Sequence, residues 1–379
     1  MKILLVQDRL RGGGTERQTV FLAHAFATRG HAVSVLTFRP GGALAPELAA
    51  AGVPRRALQS FDTGLDWFAP GLAAAARAAA PAIVLCMGRM ANCRAAPLQR
   101  ALPHAAVVAT VRTGKTLPWL YRRGLRAARG VIANSEFARR TLVAPEGAAA
   151  RCVVIPNALL HAALLAEANE PAAATGGKRD HCAAAGGAAR ASGDSTPPVA
   201  PLLLCVAQFR REKNHRELLE IAALLPRELP WRLAFVGDGP TRAACERQAT
   251  ALGLADRVVF HGWQADPARF YRGAAIAVLT SQRESLPNFL VEAQCAGVPV
   301  VSYEVGGAAE CFHDGETGHL IPAGDRARFA AVLTDLLAQP ARRAAMAAAA
   351  RDRARARFDP VRQVAAHLDF FAQLLAKQQ

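Results

Sequence analysis

Short apolar runs separated by helix-length segments recur along the whole chain. In the first half they are Lys2–Val6, Ala32–Phe38, Ile83–Met87, Ala106–Val111, Gly130–Ala133 and Cys152–Ile155. Runs of this kind, alternating with helix-length stretches, predict a parallel sheet with helices on both faces. A second series follows at Leu202–Val206, Arg232–Val236, Val258–Phe260, Ile276–Leu279 and Val298–Ser302. Between the two, residues 166–199 are dominated by Ala, Gly, Ser and Pro and lose both periodicities, as a linker or insertion does. The pattern therefore predicts an α/β first domain over 1–165, a linker over 166–199 and an α/β second domain over 200–357. Residues 358–379 read as one more amphipathic helix, with Val361, Val364, Leu368, Phe371 and Leu374 on one face. It is expected to pack back towards the first domain.

The loops at the ends of these runs carry the candidate chemistry. The stretch Thr280–Gly307 holds Glu284 and Glu292, a proline at 287 suited to a first helical turn, and a closing Gly306-Gly307. The N–H groups of Asn288, Phe289 and Leu290 are then expected free at a helix N-terminus, where an anion binds. An ordinary strand–helix–strand unit with two solvated glutamates fits the same spacing. After Val206, the loop AQFRREKNH places Arg210, Arg211 and Lys213 before a helix expected to start near Asn214. Cations there favour a phosphate or diphosphate, although a solvated basic loop is the plain alternative. After the first run comes Arg11-Gly12-Gly13-Gly14-Thr15-Glu16-Arg17. It is neither a P-loop nor a dinucleotide fingerprint, and reads either as a close approach to a ligand or as a tight turn. Glycine turns also occur at Gly237 and at Gly262-Trp263.

Composition narrows the classes. A chain of 379 residues suggests two domains. No run approaches the roughly 18–20 apolar residues that span a bilayer. The N-terminal MKILLVQDRL is too short for a signal-peptide core, so a cytoplasmic location is expected. The eight cysteines form no CxxC pair, which points to reduced, buried thiols and no zinc site. Net charge is +16, and residues 1–165 hold 21 Lys/Arg against 7 Asp/Glu. The first domain is therefore expected to meet an anionic partner. Within it, Trp119 to Arg140 combines exposed-type aromatics with six arginines, which suits an anionic membrane surface or a solvated basic face. Nucleic acid is not expected, because no helix-turn-helix, zinc or aromatic stacking motif accompanies the charge.

Taken together, these features resemble the GT-B glycosyltransferases, in particular retaining family 4 of the nucleotide-sugar-dependent enzymes. The most specific piece is residues 281–322, SQRESLPNFLVEAQCAGVPVVSYEVGGAAECFHDGETGHLIP, with its E-x7-E, G-G and D-G-x-x-G elements. Gly13–Arg17, Ala133-Asn134-Ser135 and Ile155-Pro156-Asn157 are similar to further family landmarks. The resemblance covers nearly the whole chain outside 166–199. It implies two Rossmann-like domains facing each other across a cleft, and transfer of a hexose-type sugar from a nucleotide-diphosphate sugar, UDP-sugar first. The acceptor would be a lipid-linked or cell-surface polysaccharide or lipopolysaccharide, met at the cytoplasmic face of the inner membrane.

Position by position, the resemblance gives Lys213, Arg210 and the amides of Asn288, Phe289 and Leu290 to the diphosphate. Glu292 would bind the ribose and Glu284 the sugar ring, with Gly13 and Gly14 closing over the diphosphate. Gly237 and Trp263 would complete the donor site. Two departures stand out. Ala207-Gln208 replaces a common Gly-Arg, so Arg210 is the substitute. A common histidine after the fifth strand is missing, and Arg112 stands there, with Lys115 and Arg17 as further acceptor or phosphate candidates. No Asp-x-Asp occurs, so no metal and no cofactor are expected, the nucleotide sugar being a co-substrate. The missing histidine keeps open a second class: a membrane-associated binding or regulatory subunit on the same fold that lacks catalysis.

Overall fold

The computed structural model describes residues 1–159, 200–264 and 266–377; the expected linker 166–199, with His181 and Cys182, lies outside them. The apolar runs form two parallel sheets. The first has seven strands: β1 Lys2–Gln7, β2 Ala32–Thr37, β3 Arg55–Ala57, β4 Ile83–Cys86, β5 Ala106–Val111, β6 Gly130–Ala133 and β7 Cys152–Val154. Their order is β3-β2-β1-β4-β5-β6-β7. The second has six: β8 Leu202–Val206, β9 Arg232–Val236, β10 Val258–Phe260, β11 Ala274–Leu279, β12 Val300–Tyr303 and β13 Gly318–Ile321, ordered β10-β9-β8-β11-β12-β13. β4 and β5 are buried along their whole length, because helices cover both faces.

Two strands escaped the sequence pattern, and both are edge strands. β3 is only Arg-Arg-Ala, and β13 opens with Gly-His. An edge strand pairs on one side alone and tolerates polar residues that a central strand would not. β12 begins two residues later than its apolar run. Pro299 has no N–H to donate, and it joins the ladder only as an acceptor, from Ala277 N–H at 2.8 Å.

In both sheets the strand order reverses beside the first strand, between β1 and β4 and between β8 and β11. Open α/β sheets leave a crevice at such switch points, outside the carboxyl ends of the strands. The loops that the sequence singled out leave those ends: the glycine loop after β1, the basic loop after β8 and the Glu284 loop after β11. The basic loop is a single 3-10 turn, Arg211–Lys213. Asn214 then takes a left-handed conformation (φ 53°), and the helix runs His215–Ala222.

The C-terminal region divides between the halves. Helix Pro340–Phe358 lies against helix Asn288–Cys295, and Phe358 is buried with Leu290 and Cys295 in the second half. The Asp359 carboxylate accepts the Val361 N–H at 2.8 Å and opens helix Pro360–Ala376. Val364, Phe370, Phe371 and Leu374 of that helix enter the first half's core beside Ile3, Leu5 and Phe26.

Candidate active site

A cavity of about 420 Å³ lies between the carboxyl edges of the two sheets. Of the residues expected to bind, it is lined by Gly13, Gly14, Arg17, Arg112, Lys115, Arg210, Lys213, Gly237, Trp263, Glu284, Asn288, Phe289 and Glu292. Leu290 is the exception and a correction. Its side chain is fully buried in the second core, and its N–H donates to the Pro287 carbonyl at 3.0 Å. Pro287 sits one position before the helix, as its N-cap, so the first turn closes back onto it. That leaves Asn288 and Phe289 as the amides at this helix end without a partner among the described residues.

The second sheet's switch point brings the central pair together. Lys213, from the loop after β8, donates its ammonium to Glu284 Oε1, from the loop after β11, at 2.6 Å. Glu284 is only 8% exposed. A side chain so buried needs a hydrogen-bonded partner, and Lys213 provides it. The Glu284 backbone is held equally closely. A Cβ on Gly306 (φ 56°) would stand 1.8 Å from the Glu284 carbonyl oxygen, and one on Gly114 of the first half 2.3 Å from it. Only glycine fits at either place, so Glu284 is clamped from both sides of the cleft.

Glu292 is oriented by a residue that sequence reasoning missed. The buried Tyr271 hydroxyl donates to Glu292 Oε2, and burial with the adjacent carboxylate pushes the phenol far above its ordinary pKa. Nothing in the spacing marked Tyr271. The glycine loop also differs from expectation. The N–H groups of Gly12 and Gly13 both donate to the Glu16 carboxylate, which folds back over the N-terminal end of helix Gly14–Thr28. Those two amides are therefore already engaged.

On the first half, Arg112 Nη1 donates to Asn157 Oδ1 at 2.5 Å, and Asn157 Nδ2 donates to Asn288 Oδ1 at 2.6 Å. Arg112 Nε and Nη2 are buried without a hydrogen-bond partner among the described residues. Burial lowers this guanidinium's pKa to about 10. Lys115 reaches across the cleft to Glu212 Oε1, also at 2.6 Å. With Arg17, Arg210 and Arg283, these side chains give the cleft an excess of cations, as a diphosphate requires.

Two further contacts fasten the halves. Ser285 Oγ donates to Asn134 Oδ1. The Glu310 carboxylate accepts the N–H groups of Glu136 and Phe137, each at 2.8 Å. Asn134 and Asn157 lay in landmarks legible in the sequence, whereas Glu310 carried no mark of its own. Among the described residues, no group of three or more His, Cys, Asp or Glu gathers as a metal site. Six of the seven described cysteines are buried and Cys152 is half-buried, and burial raises the thiol pKa at each.

The two halves match two family models, Glycosyltransferase Family 4 over residues 12–159 and Glycosyl transferases group 1 over residues 195–353. The chain belongs to the group 1 GT-B glycosyltransferases. Among curated relatives of this glycosyltransferase chain is the lipopolysaccharide core biosynthesis glycosyltransferase LpsE of Rhizobium meliloti. It is 34% identical over 152 residues, 40% of this chain and 44% of that protein. The D-inositol 3-phosphate glycosyltransferase of Thermomonospora curvata is 40% identical over 166 residues, covering 41% and 38%. The chain thus spans less than half the length of either relative. HepE of Anabaena, solved in complex with UDP, superposes with a TM-score of 0.77 over 98% of this chain and all of that one, at 21% identity. The lipopolysaccharide outer core galactosyltransferase WaaB, in its apo form, gives 0.71 over the whole of both chains at 18% identity. Likeness at that identity establishes the fold: two parallel-sheet domains facing each other across a cleft.

Proposed function

We propose that this group 1 chain is a retaining, metal-independent hexosyltransferase that uses a UDP-sugar and acts on a lipid-linked or cell-surface glycan acceptor in polysaccharide or lipopolysaccharide biosynthesis. The observation that carries the reading is the Lys213–Glu284 pair at the second sheet's switch point, beside the free amides of Asn288 and Phe289. In this reading the donor diphosphate lies between Lys213, Arg210 and those amides. Glu292, held by Tyr271, takes the ribose hydroxyls, and Glu284 takes sugar hydroxyls. The bond from the anomeric carbon to the diphosphate oxygen breaks as charge grows on that oxygen. Fixed cations and amides stabilise the charge, each such donor contributing about 3 kcal/mol in a closed site. The acceptor oxygen attacks from the same face, and its proton passes to the departing phosphate. A similar structure solved with UDP and relatives named for lipopolysaccharide core biosynthesis support the choice of donor and acceptor class. We further propose that the protein works at the cytoplasmic face of an anionic membrane through its basic first half. None of the described helices is long and apolar enough to cross a bilayer.

The test is a calorimetric panel of UDP, GDP and ADP, followed by NMR of the product anomer with the preferred donor sugar. UDP binding and a product of the donor's own anomeric configuration are expected. An inverted product, or a covalent glycosyl-enzyme trapped on Glu284, overturns the mechanism. Arg112 in the position of the family histidine favours one second reading, a non-catalytic GT-B subunit that binds without turning over. Nucleotide binding with no donor hydrolysis under any acceptor would establish it.

A further inference from the structure

The cations of the cleft are not partnered alike. Lys213 ends on Glu284 Oε1 and Lys115 on Glu212 Oε1, each at 2.6 Å, an acidic side chain in both cases. Arg112, which follows directly on β5, ends on a neutral group instead, the Asn157 carboxamide at 2.5 Å. Two titratable side chains feel its charge, Tyr121 and His367, and neither supplies an anion. The Tyr121 hydroxyl donates to the Thr110 carbonyl at 2.5 Å, and burial holds the phenol well above its ordinary pKa. His367 is buried and kept neutral, with Nδ1 engaged by the Gln363 carbonyl.

The unused part of Arg112 has a definite shape. Nη1 is taken by Asn157, which donates in turn to Asn288 Oδ1, so one corner of the guanidinium is braced across the cleft. Nε and Nη2 are the atoms left over. Their N–H groups share one edge of the planar group and run parallel, the spacing that meets both oxygens of a carboxylate. A sugar hydroxyl offers one oxygen and no charge, and leaves a buried guanidinium uncompensated. The diphosphate, the donor's other anion, falls in the reading above to Lys213, Arg210 and the amides of Asn288 and Phe289 on the second half. The Arg112 loop meets the sugar side of that site. Thr113 and Gly114 line the same cavity, and Gly114 abuts the Glu284 carbonyl, where an added Cβ would stand 2.3 Å away.

We propose that Arg112 selects a donor whose sugar carries a carboxylate, a UDP-hexuronic acid, by taking both carboxylate oxygens on its Nε–Nη2 edge. The bound sugar then supplies the negative charge that the protein withholds from this side chain. The proposal rests on the UDP-sugar transferase reading and names the class of sugar within it.

The experiment is calorimetry of wild type with UDP, UDP-glucose, UDP-galactose, UDP-glucuronic acid and UDP-galacturonic acid, repeated for Arg112→Gln and Arg112→Lys. Wild type should bind one uronate donor at least about tenfold more tightly than the hexose donor of the same ring configuration. Arg112→Gln should erase that preference by weakening the uronate donor and not UDP itself. Arg112→Lys keeps the charge but loses the fork, and should retain only a small part of the preference. Wild type that binds UDP and favours neither uronate overturns the proposal and leaves the transferase reading standing; this arm decides alone should the variants fail to fold. An equal loss of affinity for UDP and all four donors in Arg112→Gln also overturns it, and assigns the fork to the diphosphate. So does a uronate preference that survives in both variants. Selective uronate binding with no UDP released under any acceptor would contradict the transferase reading alone, and absence of binding by UDP and every donor overturns both.

Discussion

Glu310 offers a quantitative handle on how the cleft is held closed. Its carboxylate, on the second half, accepts two consecutive backbone N–H groups of the first half at 2.8 Å each. Arg357 stands 3.9 Å away, and the Glu310 side chain is 18% exposed. Hydrogen bonds to a charged group contribute about 1.5–3 kcal/mol when buried. Partial exposure argues for the lower end, so removing both contacts should cost about 3 kcal/mol. That corresponds to roughly a hundredfold shift in the closure equilibrium, at 1.4 kcal/mol per tenfold. Glu310→Ala should therefore leave each half folded but open the cleft, and Glu310→Gln should do about half as much. Small-angle scattering and a fluorophore pair across the cleft would read the opening. UDP affinity should fall by up to the same factor, because both halves line the cavity. An alanine variant with unchanged scattering, energy transfer and UDP affinity would refute the reasoning and reduce Glu310 to a surface contact.

Other positions give equally definite outcomes. Tyr271→Phe removes only the hydroxyl that orients Glu292. The donor KM should rise about tenfold or more with kcat largely kept, and the preference for UDP over its 2′-deoxy form should shrink. Gly306→Ala should lower the melting temperature by at least about 3 °C, since it meets both a left-handed backbone and the Glu284 carbonyl. Gly273→Ala, with nothing within 4 Å of the added carbon, is the matched control and should not. His367 is buried, and burial beside Arg112 lowers its pKa to about 3, while Nδ1 engages the Gln363 carbonyl. The unfolded chain protonates this group near 6.5 and the folded chain does not. Its stabilising effect is therefore complete above pH 6.5 and is lost as pH falls towards 3, by up to about 1.4 kcal/mol per pH unit. His367→Phe should flatten that part of the unfolding profile, and an unchanged slope would contradict the assignment.

How far the sequence could be read follows from what each feature depends on. Central strands such as β4 and β5 are buried on both faces, and that burial writes an uninterrupted apolar run into the chain. Edge strands β3 and β13 feel no such demand and left no signal. The E-x7-E stretch, the basic loop and the glycine loop were legible because the loops at the carboxyl ends of strands at a switch point line the crevice, and their residue types depart there from the apolar runs. What sits between those residues was not legible. The Lys213–Glu284 pair, Tyr271 on Glu292, and Glu16 on the glycine-loop amides are set by distances across the fold. Leu290 failed for a local reason: Pro287 lies at the cap rather than inside the first turn, and the tightened turn consumes the Leu290 amide. Glu310 meets a helix end 173 residues away, which no periodicity announces.

Whether the Lys213–Glu284 pair acts on the donor is tested most directly by turnover of the preferred UDP-sugar in wild type, Lys213→Ala and Glu284→Ala, with thermal unfolding run alongside. UDP release by wild type is expected, with a fall of at least about a thousandfold in either variant and unfolding still cooperative. A folded variant of either kind that turns over the donor at the wild-type rate would contradict it.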